Sequence, residues 1–272
     1  MSTELITPAA QASSSPLVEK EQRKIRVVVG LPGSSFTQGF LLSWSQALYQ
    51  LVQSGRYEVM LSPGKSSFVS FARMQTLGLN VLRGKNQKPF NGEGYDVFVS
   101  IDSDIVFPPL ALMELIESTQ LHPVVSGYYM MSDNKHFAVV KDWNKEYFMK
   151  NGTFPFLTPA DFDPYIKKAK EYMDERKRAE ENNETLPKQI LPDFLNVSYT
   201  GMGFFACRKE VLDSMKYPYF NRELQRMRTS EGLEIEDMCS EDVAFCKNIS
   251  DAGYDIMVHT QLRVGHEKSV VL

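Results

Sequence analysis

The stretch VFVSIDSDIVFP, Val97–Pro108, constrains the fold more than any other part of the chain. It is apolar from Val97 to Ile101 except at Ser100, and it closes on two aspartates one residue apart, Asp102 and Asp104. A short apolar run ended by polar residues predicts a buried central strand. Open α/β sheets bind ligands beyond the carboxyl ends of their parallel strands, so both carboxylates stand where a ligand would. Two hard oxygen donors suit a divalent cation such as Mg2+ or Mn2+. The same residues also suit plain turn chemistry, and the rest of the chain must decide between the two.

A chain of 272 residues can bury one substantial core or two small ones. Its net charge of −4 offers no bulk cationic surface for nucleic acid or for a membrane. The three cysteines, Cys207, Cys239 and Cys246, form no C-x-x-C pair, which favours reduced thiols in a cytosolic setting. The N-terminal MSTELITPAAQASSSP lacks the cationic-then-apolar order of a signal peptide, and no window is apolar for long enough to span a bilayer. The expectation is a cytoplasmic protein. Residues 1–22, small, polar and Pro-containing, are expected to be disordered or loosely attached, leaving 23–272 as one domain.

IRVVVGLPG reads as a first buried strand with a Gly/Pro turn, and Gln38–Gln53 as the helix after it. The intervening loop offers backbone N–H groups and hydroxyls to a ligand, although it has neither G-x-G-x-x-G nor P-loop spacing. Tyr57–Leu61 reads as a strand and Phe68–Leu82 as a helix with Phe71, Met74 and Leu77 or Gly78 on one face. Arg73 on that helix is an isolated cation, suited either to snorkel at the surface or to grip a diphosphate. Pro108–Glu117 predicts a helix, Val124–Met130 a strand ending near Tyr128 and Tyr129, and Phe137–Val140 a further paired segment. Residues 141–195 change character: five prolines and a charged helix, Tyr165–Glu181, predict an insertion beside the sheet that shapes specificity.

Val197–Arg208 reads as a strand broken by Gly201 and Gly203, where a ligand or another backbone comes close. Lys209–Met215 is a short helix, Asn221–Asp237 a polar loop, and Asp255–His259 the last strand. Ser240–Ala252 predicts a helix with Ser240 as N-cap and Gly253 at its end. Its first turn holds Glu241 and Asp242. Acidic residues there suit the helix dipole, and a carboxylate aimed into a cleft also suits a general base. His266 fits a neutral metal ligand as well as a structural histidine, and Lys268 can neutralise a phosphate.

VVVGLPG, Arg73 on the helix before the D-x-D, SIDSDIVFPP, TGMGFFACRKEVL, SEDVAFCKNISDAGYDI and VGHEK resemble, in this order, the GT-A class of glycosyltransferases. The resemblance runs from Ile25 to Lys268, and the insertion matches none of it. It implies an α/β fold: a single GT-A-like, Rossmann-related domain with a central, mostly parallel twisted sheet flanked by helices. It also implies a metal-dependent enzyme that moves a sugar from a UDP-sugar to a hydroxyl of an oligosaccharide or glycoprotein glycan. Asp102, Asp104 and His266 match ligands of Mn2+ (or Mg2+). Asp242 matches the base of inverting members, with Glu241 as its support or as an acceptor contact. Pro32, Gly33, Ser34, Arg73, Asp102, Ser103, Gly201, Gly203 and Lys268 fall on the nucleotide-sugar side. Within the class, the chain resembles the small glycosyltransferases of large algal viruses (chloroviruses), which build capsid glycans, and among these a UDP-xylose-dependent xylosyltransferase. On that likeness it works in the host cytoplasm.

Three other readings share these residues. A sugar-nucleotide nucleotidyltransferase also uses aspartates and a metal, but it usually has basic residues after the first strand, and GLPGSSFTQG has none. A retaining transferase shares the donor site. A non-catalytic glycan-binding module has no need of carboxylates on both sides of a diphosphate pocket.

Overall fold

The computed structural model describes residues 23–188 and 193–268, so the expectation for residues 1–22 lies outside the described residues. The Val-rich run Ile25–Pro32 forms strand β1. Helix α1, Gln38–Ser54, starts at Thr37, whose Oγ1 accepts from Phe40 N at 3.1 Å, and stops at Gly55, which takes the left-handed φ of +69°. Strand β2 (Tyr57–Gly64), helix α2 (Val69–Thr76), β3 (Val97–Ile101) and the two-residue β4 (Ile105–Val106) follow. Next come α3 (Ala111–Ser118), β5 (Val124–Tyr128) and β6 (Val139–Val140). The insertion supplies α4 (Lys145–Asn151), α5 (Pro159–Glu181) and the start of β7 (Phe194–Val197). The chain then forms β8 (Tyr199–Thr200), β9 (Phe204–Arg208), α6 (Lys209–Ser214), β10 (Leu224–Arg228) and β11 (Glu234–Met238). It closes with α7 (Glu241–Asp251), β12 (Ile256–Arg263) and β13 (Gly265–His266).

The seven-stranded sheet has the order β2-β1-β3-β9-β5-β12-β7. Strands β2, β1, β3, β5 and β12 run one way, while β9 and β7 run antiparallel to their neighbours. This is the mostly parallel α/β sheet that the sequence predicts. Successive residues face opposite sides of a strand, so Val27, Val29, Val97 and Val99 pack under α1 and α3. Val28, Phe98, Phe205 and Cys207 pack on the other face with Phe245 and Ile249 of α7. Burial on both faces explains why β1 and β3 read as continuous apolar runs.

Four expectations change. Residues 221–237 are not a plain loop: β10 and β11 pair as a hairpin, outside the main sheet. Val197–Arg208 is not one strand. It holds the end of β7, the short β8 paired to β6, and β9 inserted between β3 and β5. Helix α2 ends at Thr76 and buries Ala72, Arg73 and Thr76, whereas Phe71 faces outward at 60% exposure. The insertion does not merely lie beside the sheet. It supplies the first residues of the edge strand β7, and Phe162 of α5 stacks on Tyr128 with ring centroids 4.0 Å apart. No helix among the described residues is long and apolar enough to cross a membrane.

Candidate active site

The turn after β3 is pinned by its backbone at three consecutive residues. Asp102 N donates to Gly203 O at 3.0 Å, Ser103 O accepts from Thr37 N at 3.0 Å, and Asp104 O accepts from Glu267 N at 2.8 Å. The β3 end, the α1 entry, the loop before β9 and the segment after β13 therefore meet at one place. Gly33 lies beside them at φ +132°, and a Cβ there would come within 3.3 Å of Ser103 Oγ. Pro32 is buried at the end of β1, and Ser34 is exposed next to it.

Two groups of side chains occupy this end of the sheet. The first is built on Arg73, which is 3% exposed. Its two terminal nitrogens grip Asp102 in a bidentate pair at 3.0 and 3.2 Å, and one of them also donates to Ser100 Oγ at 3.3 Å. Its Nε lies 3.2 Å from Asp242 Oδ1, out of line for a hydrogen bond. One buried guanidinium thus serves carboxylates from the end of β3 and the start of α7. Burial opposes its charge, and Asp102 and Asp242 outweigh that and hold its pKa above the ordinary value. Arg73 neither snorkels nor points its fork outward.

Asp242 sits in the first turn of α7, where Ser240 Oγ caps Val243 N at 3.3 Å. Asp242 Oδ2 accepts from Met202 N at 3.3 Å, whereas Oδ1 is buried with no hydrogen-bond partner. Burial raises its pKa to about 6. Arg73 opposes this rise, and the negative charges of Asp102 and Glu241 add to it. Glu241 turns away and takes Arg222 at 2.8 Å.

The second group centres on Asp104. Lys268 Nζ donates to Asp104 Oδ2 at 2.6 Å, and His266 Nε2 lies 3.4 Å from the same oxygen. Burial works against the charge of Asp104, but His266 and Lys268 prevail and hold its pKa down at about 2. His266 Nδ1 lies 3.0 Å from Met130 O, and a carbonyl can only accept, so Nδ1 donates there and Nε2 faces Asp104.

The donor set fits a divalent cation in part. Asp104 offers an oxygen, and His266 has the backbone-anchored ring that ligating histidines commonly show. Asp102 has both oxygens on Arg73, so the predicted trio Asp102, Asp104 and His266 is not gathered around one point. Among the described residues no group of three or more His, Cys, Asp or Glu side chains could hold a metal. Asp104 and His266 would hold a cation that takes its remaining ligands from substrate and water.

Gly201 and Gly203 flank a tyrosine. A Cβ on Gly201 would lie 2.2 Å from the hydroxyl of Tyr129, and one on Gly203 would lie 2.8 Å from its ring. The Tyr129 hydroxyl accepts from Gly203 N at 3.1 Å. Burial, together with the charges of Asp102 and Asp242, keeps its pKa well above the ordinary value. In the sequence Tyr129 shows only as an aromatic near a strand end, and Ser100, Arg222 and Glu267 are not singled out. Glu267 accepts from Gly39 N at 3.2 Å at the start of α1, and its position between His266 and Lys268 was the available signal.

No protein-family model and no curated protein matches the sequence. Among solved structures, the chain is similar to A197 from STIV at 15% identity, with 90% of this chain and 86% of that chain covered and a TM-score of 0.43. It is similar to GalNAc-T7, crystallised with UDP, GalNAc and Mn2+, at 11% identity and a TM-score of 0.43. That match covers 93% of this chain and 45% of GalNAc-T7, so this chain spans less than half of that one. It is also similar to the inositol-1-phosphate CTP transferase from T. maritima at 13% identity, with 91% of each chain covered and a TM-score of 0.38.

Proposed function

We propose that the chain is a metal-dependent glycosyltransferase that moves a sugar from a UDP-sugar to a hydroxyl of a glycan, with inversion at the anomeric carbon. The observation that carries this reading is Asp242, a largely buried carboxylate ion-paired to Arg73, whose Oδ1 has no hydrogen-bond donor in line and whose pKa is raised to about 6. A general base works best with a pKa near the working pH, and buried polar atoms left unsatisfied often mark catalytic groups. Asp242 takes the proton of the acceptor hydroxyl as that oxygen attacks. Arg73 keeps the carboxylate in place and offsets its charge. Asp104 and His266 would hold a cation, which when bound would supply positive charge to the leaving diphosphate. Lys268 adds a second positive charge on that side, while the loop of Pro32, Gly33 and Ser34 and the Ser103 turn line the nucleotide side. Asp102, locked to Arg73, orients the turn that carries Asp104. The absence of Lys and Arg from GLPGSSFTQG speaks against nucleotidyl transfer.

The test is a panel of sugar nucleotides with Mn2+, UDP-xylose among them, scored by thermal stabilisation and by nucleotide release. At least one UDP-sugar should stabilise the protein and release UDP when a glycan acceptor is added. NMR of the product anomer then separates inversion from retention. A panel with neither stabilisation nor release rules the reading out.

A further inference from the structure

We infer that the groove between the insertion, the β10–β11 hairpin and α7 is the seat of the acceptor glycan, with Trp143 as its stacking face. The groove encloses ≈ 520 Å³, within the roughly 300–1,000 Å³ of ordinary ligand pockets. One wall is aromatic. Trp143 packs edge-on against Phe154 at 4.8 Å between ring centroids, and Phe154 lies 4.7 Å from Phe148. Trp143 and Phe154 are only partly buried, so ring surface remains open to the groove. The hairpin wall brings Gln225, Arg226 and Asp237, and the α7 wall brings Ser240 and Lys247.

This chemistry matches a sugar chain better than an ion or a purely apolar ligand. A pyranose ring has an apolar C–H face that lies on an aromatic ring, and a rim of hydroxyls that both donate and accept. The groove pairs aromatic faces with polar groups of both kinds. It also mixes charges of both signs, so no single-sign field selects an ionic ligand.

Its position ties the groove to the site. Ser240 and Val243, which line it, flank Glu241 and Asp242 in the first turn of α7. Trp143 also lies 6.2 Å from the ring of Tyr199 in β8, the strand that leads into the Gly201–Gly203 loop. A chain lying on Trp143 therefore has its end beside the first turn of α7. The role as acceptor seat rests on the transferase reading, whereas glycan binding in the groove does not.

The experiment is saturation-transfer NMR of the intact protein with xylotriose, cellotriose and mannotriose, repeated with Trp143→Ala and Trp143→Phe. Expected is transfer to the ring C–H protons of at least one trisaccharide. Trp143→Ala should weaken that binding at least tenfold, and Trp143→Phe should largely retain it. Thermal midpoints of both variants show that they fold. No transfer from the wild-type protein to any of the three, or transfer unchanged in Trp143→Ala, overturns the inference. Donor turnover is measured separately on the wild-type protein. Glycan binding at Trp143 without turnover of any UDP-sugar would keep the groove as a glycan site and remove the transferase.

Discussion

Asp242 is a carboxylate whose surroundings oppose its charge. Its pKa of about 6 lies above the ordinary 3.8, so the folded protein holds this proton more tightly than the unfolded chain does. Between about pH 4 and pH 6 the folded state therefore gains stability as pH falls. Above about pH 6 the buried charge costs on the order of 3 kcal/mol. Asp104 behaves in the opposite way. Held at about 2, it contributes stability above about pH 4, and that contribution is lost as pH falls towards 2. Two measurements follow. For the proposed base, kcat/KM should fall below about pH 6, and Asp242→Asn should lower kcat roughly 10²–10⁴-fold while UDP-sugar still stabilises the protein. In urea titrations, the wild-type protein should become more stable from pH 7.5 to pH 5, and Asp242→Asn should lose that rise. Near-normal turnover in the variant would remove Asp242 as the base. Arg73 is the other residue with a large expected effect. Arg73→Met would leave the partly buried Asp102 and Asp242 without their cation, at a cost of roughly 2–4 kcal/mol in urea titrations, below the value for a fully buried pair. The double variant Arg73→Met/Asp242→Asn should recover part of that loss, and a loss below about 1 kcal/mol in the single variant would contradict the burial described for Arg73.

Elements with a strong local signal were legible in the sequence. β1 and β3 showed as apolar runs because both of their faces are buried, and α7 showed through its Ser240 cap, apolar stripe and closing glycine. The hairpin was hidden because its less exposed face carries little apolar area, only Met227 opposite Ile235 beside Gln225 and Asp237. Its strands alternate charge, with Arg226 paired to Glu236 and Arg228 to Glu234 across the ladder. Residue pattern carries no strand direction, so the antiparallel placing of β9 was not readable either. Arg73 reads in the sequence as a surface or ligand residue because its two carboxylate partners lie 29 and 169 positions away in the chain. The loop between β8 and β9 was legible only in part: the glycines announced a close approach, but not that of Tyr129. This gives a test at the level of the loop. Gly201→Ala places a methyl group against the Tyr129 hydroxyl and should cost roughly 1–3 kcal/mol. In a cycle with Tyr129→Ala, the alanine at 201 should cost little once the ring is gone. An equal cost in both backgrounds would mean that the ring is not what requires glycine.

Across the whole molecule, each site group joins parts of the chain that only the finished sheet brings together. Asp104 follows β3 and His266 lies in β13, and the pairing of His266 with Ile105 holds them side by side. With two protein donors and Asp102 committed to Arg73, this arrangement is a poor chelator alone. Mn2+ alone would compete with the grip of Lys268 on Asp104 and leave most of its shell to water. A diphosphate supplies further oxygens and a second attraction for Lys268, so each ligand should strengthen the binding of the other by the same factor. The expected outcome is a thermal shift near zero with Mn2+ alone, a small one with UDP alone, and one clearly larger than their sum with both. Asp104→Asn and His266→Ala should each remove the excess while leaving the small UDP shift. A large shift with Mn2+ alone would require a third protein ligand, and Asp102 would then have to leave Arg73 to provide it.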